Sequence, residues 1–508
     1  MVARATVAYA TILAWQMQFV KVWRKSPPQN KKSFLDFEKR MKNYHFYDIL
    51  IDKKKERQVS LMNILIINGS PKGENSITLQ TILYLEKRYP MHRFQMLHAG
   101  QKIKALEKDF SSAKQMVEGA DLLIFSYPVY TFIAPYQLHR FIELLKASDA
   151  CLNGKFVTQF TTSKHFYDVT AHRYIQDNCM DMKMRFIRGL SADMDDLLTE
   201  KGRKEACDFF EYVLWCMEKN SFESIPEDAA PFLPKAVDVP DASDDEKKGD
   251  IVIVTNAEAE DAQLGSMIAR FRAVTPKKTR VVNIREYPFK GGCLGCFGCA
   301  VSGKCVYTDG FDTFLREDLQ RAEAIVYAFT IKDHSMGASF KLYDDRQFCN
   351  GHRTVTMGMP MGYLVSGAYS QEFNLQMIVE GRAQVGGNFL AGVATDECDP
   401  NGAIDDLSKT LCYALDKKYV PPQNFYGVGG MKIFRDLIWL MQGMMKADHK
   451  FYKAHGQYDF PQKNRGMMLK MYLVGALLAS PKIKSKLGSK MTEGMLMPYK
   501  KVLEKMDR

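Results

Sequence analysis

The sequence lacks any apolar run long enough to cross a lipid bilayer. ATVAYATILAW near the start and the apolar part of MMLKMYLVGALLAS near the end each extend for about a dozen residues, whereas a membrane-spanning helix needs about 20. The first of these runs also lacks the basic leader and small-residue cleavage site of a secretory signal. We therefore expect a cytoplasmic protein with no transmembrane span.

A nucleic-acid recognition motif is also lacking, although the chain is basic overall. Of the net charge of +11, residues 1–61 carry +8 and residues 431–508 carry +10, which leaves −7 for the residues between them. Basic ends without a recognition motif do not make a nucleic-acid footprint. We expect no nucleic-acid partner.

The cysteines lack the pattern of a disulfide framework. There are 11 of them, an odd number, with seven scattered singly and four clustered within one short stretch. A disulfide framework uses even sets of cysteines in an oxidising compartment. This pattern favours ligation of a metal ion or cluster in a reducing compartment.

What the sequence does contain, from Met62 onward, is an alternation of apolar strand runs and helical segments. NILIING, DLLIFSYPVY and KFVTQFTTS predict three strands, and after an acidic linker DIVIVTN, AEAIVYAFT and TVTMGMPMGYLVSG repeat the plan roughly 190 residues later. SFKLYDDRQF (339–348) then takes the place of PYQLHRFIEL in the first copy. Continuous apolar strands separated by helices are typical of parallel α/β sheets. We predict an α/β fold with two doubly wound parallel-sheet domains in tandem.

The domain boundaries follow from changes in this pattern. In order, they are an N-terminal extension, a first α/β domain, a linker, a second α/β domain and a helical C-terminal segment, at residues 1–61, 62–225, 226–249, 250–420 and 421–508. The extension differs in composition from the rest. A mis-called start, with translation beginning at Met62, would explain the difference, and a real helical extension and a targeting segment are the alternatives. The methionine-rich C-terminal helices predict core packing or a hydrophobic surface with basic edges. GVGG (427–430) predicts a loop.

The first strand is followed by the loop GSPKGENSIT, which is neither a Walker loop nor a dinucleotide fingerprint. Backbone amides at the N-terminus of the next helix would point at an anion, and hydroxyl and amide side chains would add neutral donors. The candidate anion-binding residues are Ser70, Lys72, Asn75, Ser76 and Thr78. A polar turn with a helix cap is the alternative. The terminal phosphate of FMN suits such a loop.

Two more strand ends support an FMN site, because the carboxyl ends of parallel strands share the edge at which doubly wound sheets bind ligands. The end of the second strand offers Pro128, Val129, Tyr130 and Thr131 to the face of a flat ring, and the end of the third offers Thr161, Thr162 and Ser163 to its polar edge. Each of the three strand ends, taken by itself, is most simply interpreted as a turn. Three such ends in this order favour FMN.

NILIINGSPKGENSIT, YPVYTFIAPYQLHRFIE and the TTS strand resemble the flavodoxin-like NAD(P)H-dependent FMN reductase and iron–sulfur flavoprotein group. The resemblance spans most of 62–220 and, more weakly, 250–400. It implies that the three loops bind the phosphate, ring face and pyrimidine edge of FMN, and that NAD(P)H is an electron donor. The second copy departs at TNAEAEDAQLGS, where Glu258, Glu260 and Asp261 stand in the first loop. Carboxylates repel phosphate, so we expect no FMN there.

The four clustered cysteines lie in GGCLGCFGCAVSGKC (291–305) and are Cys293, Cys296, Cys299 and Cys305. Their three-residue steps resemble bacterial ferredoxin ligation of a [4Fe–4S] cluster. Zinc ribbons more often pair two CxxC units across a long separation, and structural zinc and unligated thiols are the alternatives. Iron–sulfur flavoproteins carry a compact cysteine motif at a similar place. In their oligomers a cluster lies near a neighbour's FMN, an arrangement that fused domains would reproduce within one chain.

The sequence therefore predicts an enzyme, an NAD(P)H-dependent or ferredoxin-linked flavin oxidoreductase or electron-transfer flavoprotein that passes electrons between FMN and a [4Fe–4S] cluster. An NAD(P)H-dependent FMN, quinone or nitro-type reductase with structural cysteines is one alternative. A non-catalytic zinc-binding scaffold is the other. The expected partner is a small-molecule or protein redox partner, and a homo-oligomer is compatible with the sequence. No catalytic acid or base is identified.

Overall fold

The computed structural model describes residues 61–226, 231–241 and 247–459, together with 465–466, 469–470 and 472–473. The predictions for the N-terminal extension and for the helical runs of residues 467–480 and 493–506 fall almost entirely outside these ranges.

The first α/β unit is built on a parallel sheet with the strand order β2-β1-β3-β4-β5. Its strands are β1 (Asn63–Asn68), β2 (Arg93–Leu97), β3 (Leu122–Pro128), β4 (Phe156–Ser163), β5 (Arg185–Phe186) and β6 (Leu190–Asp193), the last of which pairs with β4. The apolar residues of β1 and β3 are fully buried, as expected for strands that are covered on both faces. The order is that of a flavodoxin-like sheet, in which the ligand-binding crevice lies at the carboxyl ends of β1 and β3, where the strand order reverses.

Six helices accompany this sheet. They are α1 (Ile77–Arg88), α2 (Ala99–Leu106), α3 (Ser111–Glu118), α4 (Tyr136–Ala147), α5 (Asp168–Asp181) and α6 (Glu200–Lys219). Separate apolar clusters lie on the two faces of the sheet, one with α2 to α5 and one with α1 and α6.

The second α/β unit repeats the strand order, which runs β11-β10-β9-β7-β8. Its strands are β7 (Ile251–Thr255), β8 (Thr279–Asn283), β9 (Ala324–Thr330), β10 (Pro360–Ser366) and β11 (Phe389–Thr395). Its helices are α7 (Ala262–Val274), α8 (Gly298–Ser302), α9 (Phe311–Phe314), α10 (Gly337–Arg346), α11 (Phe373–Gly386) and α12 (Pro400–Lys417). The prediction of two parallel doubly wound units is confirmed.

The C-terminal region contributes two helices, α13 (Phe425–Leu440) and α14 (Lys446–Ala454). The prediction of a loop at GVGG is wrong, because these residues lie in the first turns of α13. A Cβ atom at Gly427 would lie 2.7 Å from the Gln384 carbonyl oxygen, and one at Gly430 would lie 2.6 Å from Val385. Glycine at these positions permits α13 to pack closely against α11.

Equivalent helices of the two units, α4 and α10, pack against each other. At one side of this interface Tyr136 N donates to Asp345 Oδ2 at 2.7 Å. At the other, Ala338 N donates to Glu143 Oε1 at 2.9 Å. Each unit thus supplies a carboxylate to the first turn of the other unit's helix, where backbone amides lack helical partners. The interface is internally symmetric and brings the strand ends of the first unit close to the second unit.

Candidate functional site

The loop after β1 is organised by Asn68, the last residue of that strand. Asn68 Nδ2 donates to the Gly73 carbonyl at 2.9 Å, and Asn68 Oδ1 accepts from Ser70 N at 3.1 Å. Lys72 N donates to Ser70 Oγ at 3.3 Å. Asn68 therefore shapes the loop in which the phosphate site is predicted, although the sequence did not single it out.

Helix α1 begins directly after this loop, with Ser76 as its N-terminal capping residue. Ser76 Oγ accepts from Leu79 N at 3.5 Å, and Ser76 and Thr78 are buried. The Thr78 and Thr162 hydroxyls are 2.7 Å apart, so the first loop touches the end of β4. The positive end of a 12-residue helix faces a pair of hydroxyls here, an arrangement that suits an anion.

The residues after β3 form a tight turn in which Tyr130 and Ile133 exchange backbone hydrogen bonds at 2.8 and 3.1 Å. The two central residues, Thr131 and Phe132, have φ of 43° and 74°. Positive φ at both central positions defines a type I′ turn, which normally contains glycine or asparagine. The turn therefore needs support from outside the loop.

That support comes from the second α/β unit. Thr131 Oγ1 donates to Asp344 and Asp345 at 2.7 and 2.9 Å, and Arg382 Nη2 donates to the Thr131 carbonyl at 2.9 Å. Lys341 Nζ contacts Thr131 Oγ1 and lies 3.2 Å from the Tyr130 carbonyl. Residues of α10 and α11 thus hold both the side chain and the backbone of the turn.

The charged residues that hold the turn are themselves buried. Lys341 and Asp345 are each 0% exposed, and their side chains form an ion pair at 2.5 Å. Burial raises the pKa of Asp345. Burial would also raise the pKa of Asp344, but Arg382 and Lys341 outweigh that effect and lower it. Two cations and two carboxylates thus compensate one another, which is the condition for tolerating charge inside a protein.

The cysteine loop is anchored by Arg346, at the end of α10. Arg346 forms two hydrogen bonds with the Asp309 carboxylate, both of 2.8 Å, and Nη1 also donates to the Gly291 carbonyl at 2.9 Å. The guanidinium stacks 4.4 Å from the centre of the Tyr307 ring, whose hydroxyl donates to the Gly292 carbonyl at 3.0 Å. Burial works against ionisation of Asp309, but Arg346 lowers its pKa to about 2.

The same loop is docked on the first α/β unit. Gly295, at φ 61°, lies against Tyr130 so closely that a Cβ atom would overlap the phenol oxygen. Gln137 Nε2 donates to the Cys293 carbonyl at 3.4 Å, and Lys104 Nζ donates to the Lys290 carbonyl at 2.7 Å. The cysteine loop therefore lies directly over the turn that follows β3.

One cavity of about 220 Å³ joins all these elements. Ten of the twelve residues predicted to bind FMN line it, namely Ser70, Lys72, Ser76, Thr78, Pro128, Val129, Tyr130, Thr131, Thr162 and Ser163. All four clustered cysteines, Cys293, Cys296, Cys299 and Cys305, line it as well. The predicted flavin loops and the predicted cluster loop share one chamber.

Two predicted residues, Asn75 and Thr161, do not line this cavity. Asn75 is exposed in the loop before α1. Thr161 points to the other side of β4, where its hydroxyl lies 2.7 Å from His172 Nε2. Alternation along a strand explains why Thr162 faces the cavity and Thr161 does not.

The cavity also has walls that the sequence did not indicate. Helix α13 contributes Ile433, Phe434 and Leu437, and the segment after α10 contributes Cys349. The spacing of the three α13 residues is that of one helix face, a signal that identifies a buried face without saying what it covers. Burial raises the pKa of Cys349 to about 12.

The four clustered cysteines are free thiols, with Cys296 exposed and the other three partly buried. Burial raises the pKa of Cys293, with a contribution from Asp345, and it also raises that of Cys299. Cys299 Sγ donates to the Phe348 carbonyl at 2.9 Å. Within the described residues, no three or more His, Cys, Asp or Glu side chains are gathered so that they could hold a metal ion.

In the first loop of the second unit, the acidic side chains form hydrogen bonds and ion pairs with neighbouring residues. Glu258 N donates to Asp261 Oδ2 at 2.8 Å, and the Glu258 carboxylate pairs with Arg285. Asp261 immediately precedes α7. A carboxylate therefore stands at the helix terminus where the first unit has Ser76, and the absence of FMN from this unit stays a prediction.

Comparison with protein families gives one match. Residues 62–192 match the family model of NADPH-dependent FMN reductase. The match covers β1 to β5, all but the last residue of β6, and all twelve residues predicted to bind FMN. No curated protein matches the chain.

Three of the solved structures that resemble the chain have names that mention FMN or a flavoenzyme. An NADH:FMN oxidoreductase in its apo form has 22% identity and a TM-score of 0.27, covering 32% of this chain and 92% of that one. The flavoenzyme NAD(P)H:(acceptor) oxidoreductase FerB from Paracoccus denitrificans has 15% identity and a TM-score of 0.27, covering 31% and 98%. General stress protein 14 from Treponema denticola, in complex with FMN, has 12% identity and a TM-score of 0.25, covering 30% and 97%.

In the part of the chain that the structure describes, no helix combines the length and apolar character needed to cross a membrane.

Proposed function

We propose that the protein is an NAD(P)H-dependent flavin oxidoreductase in which FMN binds to the first α/β unit and a [4Fe–4S] cluster binds to the cysteine loop of the second. Electrons would pass between the two groups and on to a small-molecule or protein acceptor. The two units would be the products of a tandem duplication, of which one keeps the flavin loops and the other carries the cysteines.

The donor set of the first unit suits FMN. Ser70, Ser76 and Thr78 offer hydroxyls at the N-terminus of α1, and Lys72 adds a positive charge at the cavity wall. Such a terminus favours a phosphate because its amides and dipole both attract negative charge. At the next strand end, the Tyr130–Thr131 turn offers a surface for a ring.

The chain's own residues would position and enclose the reacting groups. Tyr130 and the cysteine loop would cover the ring, and Phe434 of α13 would exclude water from one side. FMN supplies hydride and one-electron chemistry when bound, and a [4Fe–4S] cluster supplies single-electron transfer. The contribution of the protein would be to place FMN and the cluster in one chamber, where electrons can pass between them.

The observation that carries the proposal is that flavin loops and cysteines line the same cavity. Cys293 and Cys299 lie at its wall in a loop rich in glycine, where free backbone amides can donate to sulfide. The three-residue steps of Cys293, Cys296 and Cys299 are the feature that favours a cluster over structural zinc, because zinc ribbons more often pair two CxxC units across a long separation.

The test is an absorption spectrum with metal and sulfide analysis of anaerobically purified full-length protein. Flavin bands with a broad iron–sulfur shoulder, and four iron and four sulfide per chain, are expected. Flavin bands without iron would overturn the cluster and leave an NAD(P)H-dependent FMN, quinone or nitro-type reductase. Zinc without flavin would overturn both parts and leave a zinc-binding scaffold.

A further inference from the structure

A second cavity, of about 210 Å³, lies between the second α/β unit on one side and the first unit and α13 on the other, and it adjoins the first cavity. Phe132, Phe348 and Phe434 line both chambers. The floor of the second chamber is the sheet itself, at Tyr327 of β9 and Tyr363 of β10. The two chambers are therefore separated by single side chains.

In the described part of the first unit, the corresponding residues belong to a packed interior. Because β1 and β3 pair in the same register as β7 and β9, Phe125 corresponds to Tyr327 and Gln159 to Tyr363. Phe125 is fully buried in an apolar cluster, and Gln159 accepts a hydrogen bond from Tyr127. The second unit has a hollow where the first has a closed core, although close packing is the rule for protein interiors.

One hydroxyl at this chamber, that of Tyr363, has no hydrogen-bond partner within the described part of the chain. The Tyr363 residue is 3% exposed and lines the chamber. Arg382 Nε is also without a partner among the described residues, but it is fully covered, and the other end of its guanidinium holds Asp344 and Thr131. The Tyr363 hydroxyl is therefore the donor that an acceptor inside the chamber would satisfy.

The chemistry of the walls defines the ligand. Phe329, Phe340 and Tyr327 present aromatic surfaces, which favour a flat ring. The one carboxylate at the wall, Asp344, is already bound by Lys341 and Arg382. Two arginines, Arg353 and Arg382, stand at the described wall against this carboxylate, and an oxyanion is a partner of the opposite charge that only accepts hydrogen bonds. An engineered apolar cavity of about 150 Å³ holds benzene, so 210 Å³ gives room for one or two fused rings.

We propose that this second chamber is a binding site for a small planar aromatic acid, whose carboxylate accepts a hydrogen bond from Tyr363 and whose ring lies among the phenylalanines next to the first cavity. This proposal does not depend on the proposed function, because the binding of the acid can be measured without any redox reaction.

The experiment is calorimetric titration of the full-length protein with 2-naphthoate and, separately, with neutral 2-naphthamide. We expect 2-naphthoate to bind and 2-naphthamide to bind more weakly. Tyr363→Phe removes only the hydroxyl and should weaken 2-naphthoate roughly tenfold to a hundredfold. Tyr174→Phe is the matched control, since the Tyr174 hydroxyl is also buried without a partner but lies in α5, away from both cavities.

Val355→Trp is a second variant that removes no buried polar group. Val355 is 40% exposed at the wall of the chamber, and an indole there should block entry and abolish binding. The proposal is overturned if 2-naphthoate does not bind, as expected for a chamber that holds only water. It is also overturned if Tyr363→Phe and Val355→Trp both bind 2-naphthoate as the unmodified protein does.

Discussion

Ser76 is the residue at which a single charge should decide flavin binding. Ser76→Asp would retain the helix cap, because aspartate caps helices as well as serine does. It would place a carboxylate against the proposed phosphate, and two like charges at about 4 Å repel by roughly 4 kcal/mol at an intermediate dielectric constant. We expect FMN affinity to fall by on the order of a hundredfold or more, measured by fluorescence titration.

Ser76→Asn is the matched control. Asparagine has the same size as aspartate and caps helices equally well, but it carries no charge. FMN affinity should stay within a few-fold of that of the unmodified protein. Glu260→Gln, in the corresponding loop of the second unit, should leave flavin content unchanged. If Ser76→Asp binds FMN as tightly as Ser76→Asn, the loop after β1 is not the phosphate site.

Cys296 is the residue that tests the division of labour between the units. Cys296→Ala should abolish iron–sulfur absorption, because Cys349, a fifth thiol at the described cavity wall, could replace Cys296 only if the loop rearranged. Flavin should remain, and stopped-flow flavin reduction by a hydride donor should continue while transfer to a one-electron acceptor fails.

Cys151→Ala, at an exposed free thiol outside the cavity, is the control and should change neither signal. A Cys296→Ala variant that keeps four iron and four sulfide would contradict the cluster assignment. One that loses iron but keeps both activities would make the cluster structural.

The turn between β3 and α4 is the element whose shape depends on another domain. Asp345→Asn should leave Lys341 undercompensated and weaken the hold on Thr131. Breaking a buried ion pair costs about 3–5 kcal/mol, so chemical denaturation should show a large loss of stability. FMN affinity should fall as well, because the turn would lose its outside support.

Glu143→Gln is the control for this element. Glu143 makes the equivalent contact on the other side of the interface and does not touch the Thr131 turn. It should lower stability but leave FMN affinity unchanged. Equal loss of FMN affinity in both variants would mean that the second unit supports only the fold and has no specific role at the ring.

The elements that could be predicted from the sequence are those that local pattern determines. Apolar strands predicted parallel sheets, and parallel strands place Ser70, Tyr130 and Thr162 at one edge. The Arg346–Asp309 pair and the contact of Gly295 with Tyr130 could not be predicted, because they join residues that are far apart in the chain. GVGG predicts a loop because glycine is an unfavourable residue in the interior of a helix. The close packing of α13 on α11 explains why these glycines lie in a helix instead.

At the scale of the whole molecule, His334 links the two units. Its ring nitrogens contact Asp181 of the first unit and Glu372 of the second at 3.0 Å. Burial alone would lower the pKa of His334, but the two carboxylates raise it to about 10. The stabilising effect of the protonated ring is therefore complete below about pH 6.5 and is lost as the pH rises through 10.

We expect the unmodified protein to be more stable than His334→Asn at pH 6, by no more than roughly 4 kcal/mol, and the difference to shrink toward pH 10. Urea denaturation at several pH values measures this difference directly. A difference that is constant across this range, or that grows with pH, would contradict a protonated His334 at the interface.

The hold of the second unit on the Thr131 turn also sets an order of events during synthesis. A ribosome completes the whole first unit before it adds Lys341, Asp344 and Asp345. Until those three residues emerge and α10 docks on α4, the turn has nothing to fix its left-handed backbone. The nascent first unit can form the loop after β1 early, but it completes the proposed ring surface only once most of the chain exists. Loading of the proposed FMN would thereby be tied to late translation, and a chain that terminates in the linker would leave the ribosome with the proposed flavin site incomplete.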